Sequence, residues 1–474
     1  MTELEIKTYV HEMIEKARAA QRIYGASTQE QLDKCSRACG KTVYDNAELF
    51  AAEAVEETKM GLVSEKIAKQ RISSVTTWRY QKGKPSTGVI GWEKGKLDVD
   101  CIQLVAKPVG VVAGIMPATN PTTSISVNGM QALKCGNAII VCPHPRAVKV
   151  SMHCVDMIRA ELVKLGAPAD IIQCASEASI EVTGAFMREA DVVVATGGPG
   201  MVKAGNESGT PSFGVGQGNC QMLVDRGMQD YFDQFADDAV ACRSFDSGLP
   251  CNGEQTLIMP AEDEAAILAA FERAGAYILQ DEAAVDKLRV ILFAEKPGGG
   301  VRVNPENTGK SAQELGRLVG VAVPAEKRTL MVKVTKFGPG EPLCREKLCP
   351  VTAFITYTGD WKEAVHIART NLEMEGAGHS AEIYTKDAAG QLYAAEQLPV
   401  CRIMINNSNR IIAGASEHGA NGLIPTSGHG CGFWQGNIID QNLNYRYLLN
   451  ITRMVYTMDV QEAEPTDEEV WAED

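Results

Sequence analysis

The chain of 474 residues is 45% hydrophobic and 22% charged, a globular balance that excludes disordered, collagenous and mucin-like classes and, at roughly 100–200 residues per domain, leaves room for several domains. Its formal net charge is −14, with eight acidic and no basic residues after Arg453; this argues against nonspecific nucleic-acid binding, which needs a basic face to displace counterions. No run approaches the roughly 18 apolar residues of a membrane span, and Met1–Glu5 lacks the basic start and apolar stretch of a signal peptide, so a cytoplasmic protein with no membrane partner is expected.

The first hundred residues read as helix. Ile6, Val10, Met13, Ile14 and Ala17 recur at three to four residues, and Ser27-Thr28-Gln29-Glu30 reads as a capping box opening a second helix that stops at Gly40. From Gln81 to Lys107, glycines and lysines alternate with Val89, Ile90, Trp92, Leu97, Val99, Ile102 and Leu104, the pattern of an antiparallel ribbon that could reach a partner subunit. Short apolar runs follow at Val109–Ile115, Ala138–Cys142, Ile171–Cys174 and Asp191–Ala195, with helix-length segments such as Thr123–Lys134 and Lys149–Leu165 between them. Such spacing predicts successive βαβ crossovers and a doubly wound parallel sheet of the nucleotide-binding kind. A second α/β region starts near Asp225, with helices at Tyr231–Cys242 and Glu264–Ala274 and extended runs at Thr256–Met259, Val290–Phe293 and Val351–Tyr357. Beyond Arg402 the chain turns glycine-rich.

Fourteen cysteines with no Cys-x-x-Cys pair read as thiols, most of them small buried hydrophobes. The histidines His11, His153, His366, His418 and His429 show no metal spacing, so no metal site is expected. Phe433 and Trp434 read as core or interface.

Three places could carry chemistry. The fourth strand runs into Ala195-Thr196-Gly197-Gly198-Pro199-Gly200, a strand-to-helix turn where backbone can approach an anion and the helix N-terminus favours it. Cys251 lies in the polar, turn-rich stretch Phe245–Gln255, where loop amides can stabilise thiolate. Asn120, in Ala118-Thr119-Asn120-Pro121 at the end of the first parallel strand, could donate to an oxyanion or simply precede a proline turn.

In combination these segments, with Lys107-Pro108-Val109-Gly110, Pro143-His144-Pro145-Arg146, Gly214-Val215-Gly216-Gln217-Gly218-Asn219, Cys251-x-x-Glu254-Gln255, Glu346-Lys347-Leu348-Cys349-Pro350 and Glu375-Gly376-Ala377-Gly378-His379, resemble the coenzyme A-acylating branch of the aldehyde dehydrogenase superfamily over nearly the whole chain. Within the branch the likeness is strongest to succinate-semialdehyde dehydrogenases and acylating sulfoacetaldehyde dehydrogenases. The resemblance implies two doubly wound α/β domains with an oligomerisation arm. Residues 1–80 and 108–225 would form the dinucleotide-binding domain and 226–425 the catalytic domain. Residues 81–107 and 426–456 would form the arm, with its late part near Asn437–Tyr447, and 457–474 an acidic tail.

The resemblance also implies roles. Cys251 would be the nucleophile, with Asn120 and the Cys251 amide as oxyanion hole. Glu346 would hold the nicotinamide ribose and Gly197 and Gly198 the pyrophosphate, with Thr119, His144 and Arg146 also on the cofactor. His379 would assist proton transfer or position the acyl group, or be structural. Hydrolytic members carry a glutamate base in the segment that here reads Phe213–Gly218, which has none; the acyl thioester should then outlast water and meet the thiol of coenzyme A. The substrate expected is a small anionic aldehyde, sulfoacetaldehyde or succinate semialdehyde, with Arg243 or Arg410 as anion partner. A structural Arg243 is the other reading of that residue. An acetaldehyde or propionaldehyde enzyme, a hydrolytic enzyme and a non-catalytic relative are the alternatives. Ala147 in place of an acidic residue, beside Arg146, tilts the choice between NAD and NADP toward NADP. A homodimer or homotetramer is expected.

Overall fold

The computed structural model describes every residue except 96–97, 297–299, 415–420, 458–464 and 473–474. Among the described residues no helix is long and apolar enough to cross a membrane.

Two all-parallel sheets organise the chain. In the first, five strands lie in the order Ile172–Cys174, Ala138–Cys142, Val111–Ile115, Val192–Thr196, Ser212–Val215. Strands Val111–Ile115 and Ala138–Cys142 are buried along their whole length, and Val192–Thr196 is apolar and buried up to Ala195, which is why they read as continuous hydrophobic runs. The strand order reverses between Val111–Ile115 and Val192–Thr196, and at that switch point the chain emerges as Pro117–Asn120 and as Gly197–Gly198.

The second sheet has seven strands, in the order Ala276–Leu279, Thr329–Lys333, Val351–Tyr357, Glu254–Pro260, Cys220–Val224, Ala381–Tyr384, Ile403–Ile405. Strand Cys220–Val224, just ahead of residue 225, pairs here with Glu254–Pro260 and Ala381–Tyr384, and a short link between Val215 and Cys220 connects the two sheets. That link joins the C-terminal edge of one sheet to the N-terminal edge of the other, and the candidate site forms at this junction.

The ribbon is an antiparallel pair, Gly88–Lys94 and Asp100–Pro108, and its third strand is Leu449–Val455, later in the chain than the Asn437–Tyr447 segment. Two other expectations change. The second helix runs from Gln29 to Asp45, straight through Gly40, and Thr28 caps it by accepting from the Gln31 amide alone. A side chain at Gly40 would collide with Met130 of helix Pro121–Lys134, so the glycine permits close packing between two helices and does not end one. Val290 lies in helix Glu282–Leu292, and only Phe293–Glu295 is extended; the amphipathic helix ends on consecutive apolar residues that mimic a strand. Phe433 and Trp434 are 88% and 55% exposed, which removes the core reading.

Candidate active site

Cys251 is half-buried in the turn that enters strand Glu254–Pro260. Before it, Asp246, Ser247 and Gly248 all have left-handed backbone, with φ of 47°, 55° and 72°, a conformation that costs a non-glycine residue roughly 1–2 kcal/mol. The Asp246 carboxylate anchors this turn. It accepts from Lys66 at 3.0 Å, from Lys69 and from the Leu62 amide at 3.1 Å, all on or entering helix Val63–Gln81. Burial pushes the Asp246 carboxyl up, but the two ammonium groups outweigh it and hold it below the ordinary aspartate value. Burial and the neighbouring Lys69 charge lower Lys66 to about 8.

The same lysines reach the oxyanion candidate. Lys66 Nζ donates to the Thr119 carbonyl at 3.0 Å and Lys69 Nζ to Asn120 Oδ1 at 2.6 Å. Because the amide oxygen is held by an ammonium, the opposite end of the Asn120 side chain is the NH2 donor. Asn120 sits at the N-terminus of helix Pro121–Lys134 without capping it through its side chain.

His379 lies just before strand Ala381–Tyr384. Its Nε2 is 3.2 Å from Cys251 Sγ and its Nδ1 is 2.8 Å from Ser380 Oγ. Asn409 Nδ2 donates to Ser380 Oγ at 2.9 Å and to the Asn252 carbonyl at 2.7 Å, tying the histidine segment to the cysteine turn. Burial and the Arg402 charge lower His379 to about 3, so the ring stays neutral. Burial, with Glu346 and Cys431 nearby, pushes the Cys251 thiol up to about 12. The resting pair is a neutral thiol against a neutral imidazole.

Gly218 is pressed against Cys251, and a side chain there would overlap the cysteine carbonyl. Two carboxyl groups face the region. Glu346 is buried and raised to about 8 by burial and by Glu375, so it keeps its proton at neutral pH. Glu375 accepts from Arg345 at 2.8 Å, Gln217 at 3.0 Å and the Glu346 amide at 2.9 Å.

Gly197 and Gly198 lead into helix Pro199–Glu207, and above Gly198 a side chain would meet nothing within 4 Å. This open helix N-terminus at the switch point fits a dinucleotide pyrophosphate. His144 and Arg146 are exposed beyond strand Ala138–Cys142, on the same edge of the sheet. A cleft of about 590 Å³ runs from helix Pro199–Glu207 past Gln217 and Arg345 to Glu375 and Trp434.

Of the two readings of Arg243, anion partner or structural residue, its burial favours the structural one. It is 1% exposed, and its guanidinium donates to the Val351 carbonyl at 3.2 Å and to the Cys349 carbonyl, beneath the cysteine turn. Eight residues before Cys251, it lies in helix Phe232–Ser244 and supports the loop from below instead of facing a substrate. Arg410 is exposed and follows Asn409, the residue that ties Asn252 to Ser380. Sequence reasoning missed Lys66, Lys69 and Arg402; the last donates to the carbonyls of His379 at 3.2 Å and of Gly430.

Residues 4–213 match the Aldehyde dehydrogenase family model. The succinate-semialdehyde dehydrogenase (acetylating) of Clostridium kluyveri is 42% identical over 462 residues, covering 98% of each chain. The sulfoacetaldehyde dehydrogenase (acylating) of Bilophila wadsworthia is 33% identical, again over 98% of each. The crystal structure of an acetylating aldehyde dehydrogenase from Geobacillus thermoglucosidasius superposes with a TM-score of 0.88 at 29% identity, covering 98% of this chain and 99% of that one.

Proposed function

The chain belongs to the aldehyde dehydrogenase family, in its coenzyme A-acylating branch, and we propose that it converts a small anionic aldehyde, coenzyme A and NAD(P)+ to the acyl-coenzyme A through a thioester on Cys251. The observation that carries this reading is the state of the carboxylates near the nucleophile. Glu346 is protonated at neutral pH and Glu375 is occupied by Arg345, Gln217 and a backbone amide. Neither of these two carboxyl groups is left free to activate water, so the thioester waits for a stronger nucleophile.

In the cycle, Cys251 Sγ bonds to the aldehyde carbon as its proton moves to His379 Nε2. This step uses the tautomer protonated at Nδ1, with Ser380 Oγ 2.8 Å away to accept that hydrogen. The oxyanion is met by the Asn120 amide and the Cys251 backbone N–H; one such donor is worth roughly 2.7–4 kcal/mol of transition-state stabilisation. Gly197, Gly198, Thr119 and Glu346 would hold a nicotinamide cofactor, which when bound would supply the hydride acceptor. His379 releases the first proton to solvent; the coenzyme A thiol then adds to the thioester carbon, its proton passing to His379 and from there to the Cys251 sulfur, which leaves as thiol. Arg146, with Ala147 beside it, supports NADP over NAD.

For the aldehyde, the 42% identity to the Clostridium kluyveri enzyme favours succinate semialdehyde, with sulfoacetaldehyde second. Arg410, exposed beside Asn409, is the anion partner in this reading; Arg243 is buried and donates to the carbonyls of Val351 and Cys349. NAD(P)H formation should require coenzyme A and vanish in Cys251→Ala. Turnover of succinate semialdehyde should exceed that of acetaldehyde, and Arg410→Ala should raise KM for the anionic aldehyde alone. Coenzyme-independent NAD(P)H, or a preference for acetaldehyde, would refute the respective part.

A further inference from the structure

His429 plays no part in the chemistry above, yet it stands in the same pocket. It is 5% exposed, and neither ring nitrogen has a hydrogen-bond partner, a state that costs a buried polar group free energy unless a ligand meets it. Its ring lies edge-on to that of His379, with centroids 5.4 Å apart, so the two imidazoles do not bond to each other. Cys251 Sγ and one nitrogen from each of His379 and His429 all lie within 4.8 Å of one another.

We propose that Cys251, His379 and His429 form a site for a borderline-soft divalent cation, Zn2+ above all, which reversibly caps the nucleophile. One sulfur and two imidazoles are a donor set that such ions select, leaving a fourth tetrahedral position for water. Bonds of about 2.3 Å to sulfur and about 2.0–2.1 Å to nitrogen place tetrahedral S and N donors about 3.6 Å apart. The Cys251–His379 separation of 3.2 Å therefore has to open only slightly. The frame is already built: Arg402 donates to the carbonyls of Gly378, His379 and Gly430, stapling the two histidine segments together.

Binding replaces the thiol S–H bond by S–Zn, releases one proton to solvent and involves no redox change. The Arg402 charge opposes a dication and the thiolate charge offsets it, so affinity falls below that of a structural zinc site, as a removable cap requires. The ion takes both the sulfur lone pair that attacks aldehyde and the His379 nitrogen that receives the proton.

The test is titration of the metal-free full chain with Co2+, followed by its thiolate charge-transfer band, with Zn2+ as competitor. A single site is expected whose band Zn2+ displaces, with Cys251 shielded from iodoacetamide and the shielding reversed by EDTA. Cys251→Ser should abolish the band. His429→Ala should weaken binding by more than the roughly 10–100-fold that losing a ligand's supporting partner costs, and His379→Ala should do the same, so the assignment does not hang on the folding of one variant. Absence of a band in the wild type, a band surviving in Cys251→Ser, or unchanged affinity in both histidine variants overturns the proposal. None of these readouts depends on turnover.

Discussion

Two acidic residues bracket Cys251, Asp246 before it and Glu254 after it; both are buried, yet they live in opposite states. Asp246 faces Lys66 and Lys69 and is held ionised. Glu254 faces another carboxyl group, Glu382, and burial raises both, Glu254 to about 7. Glu254 Oε2 and Glu382 Oε1 each lack a donor, and a proton shared between the two carboxyl groups satisfies both. Burial alone therefore does not decide ionisation; the partner does. The upstream flank of the nucleophile is clamped by fixed charge, while the downstream flank holds a proton that rising pH can remove.

The largest effect is expected from breaking the upstream clamp. Asp246→Ala leaves two ammonium groups without their buried counter-ion and should cost about 3–5 kcal/mol of stability, measured by urea unfolding. Next comes Lys69→Met, which keeps the side-chain stem but frees the Asn120 amide to rotate. Its kcat/KM should fall by about tenfold or more, yet less than the roughly 100–1,000-fold of deleting an oxyanion donor outright, with Asn120→Ala as the reference. The smallest effect sharpens the contrast downstream. The raised carboxyls contribute stability that is present at low pH and lost as pH rises through about 7. Glu382→Gln should flatten that decline, matching wild type near pH 5 and exceeding it near pH 8. Asp246 has the reverse sign: its lowered value contributes stability that is present at neutral pH and lost only in acid, below the ordinary aspartate range.

The sheets were legible because strands buried on both faces appear as uninterrupted apolar runs, and Ala138–Cys142 falls where the sequence puts it. Gly40 misled because a glycine near the end of a helical pattern reads as a stop, when the demand on it comes from Met130 across the interface. Cys251, Asn120 and His379 carried recognisable motifs. Lys66 and Lys69 did not: on helix Val63–Gln81 the buried face is itself polar, with Lys66, Gln70, Ser74, Thr77 and Gln81, and cations at helical spacing look like a solvated surface. His429 was set aside for lack of metal spacing, and spacing along the chain gives no sign that folding brings it within 4.8 Å of Cys251 and His379. Arg243 was judged by its closeness to Cys251 along the chain, which says nothing of the side on which its guanidinium lies.

The clamp also bears on how the protein reaches its native state. The bonds from Lys66 and Lys69 to Asp246 span 180 and 177 residues, so the left-handed turn before Cys251 gains its support only after a very long loop has closed. Closing such loops carries an entropic cost met before the contact stabilises anything. Helices should therefore regain their signals first on refolding, with dehydrogenase activity returning in a later, slower phase once the catalytic turn has been clamped.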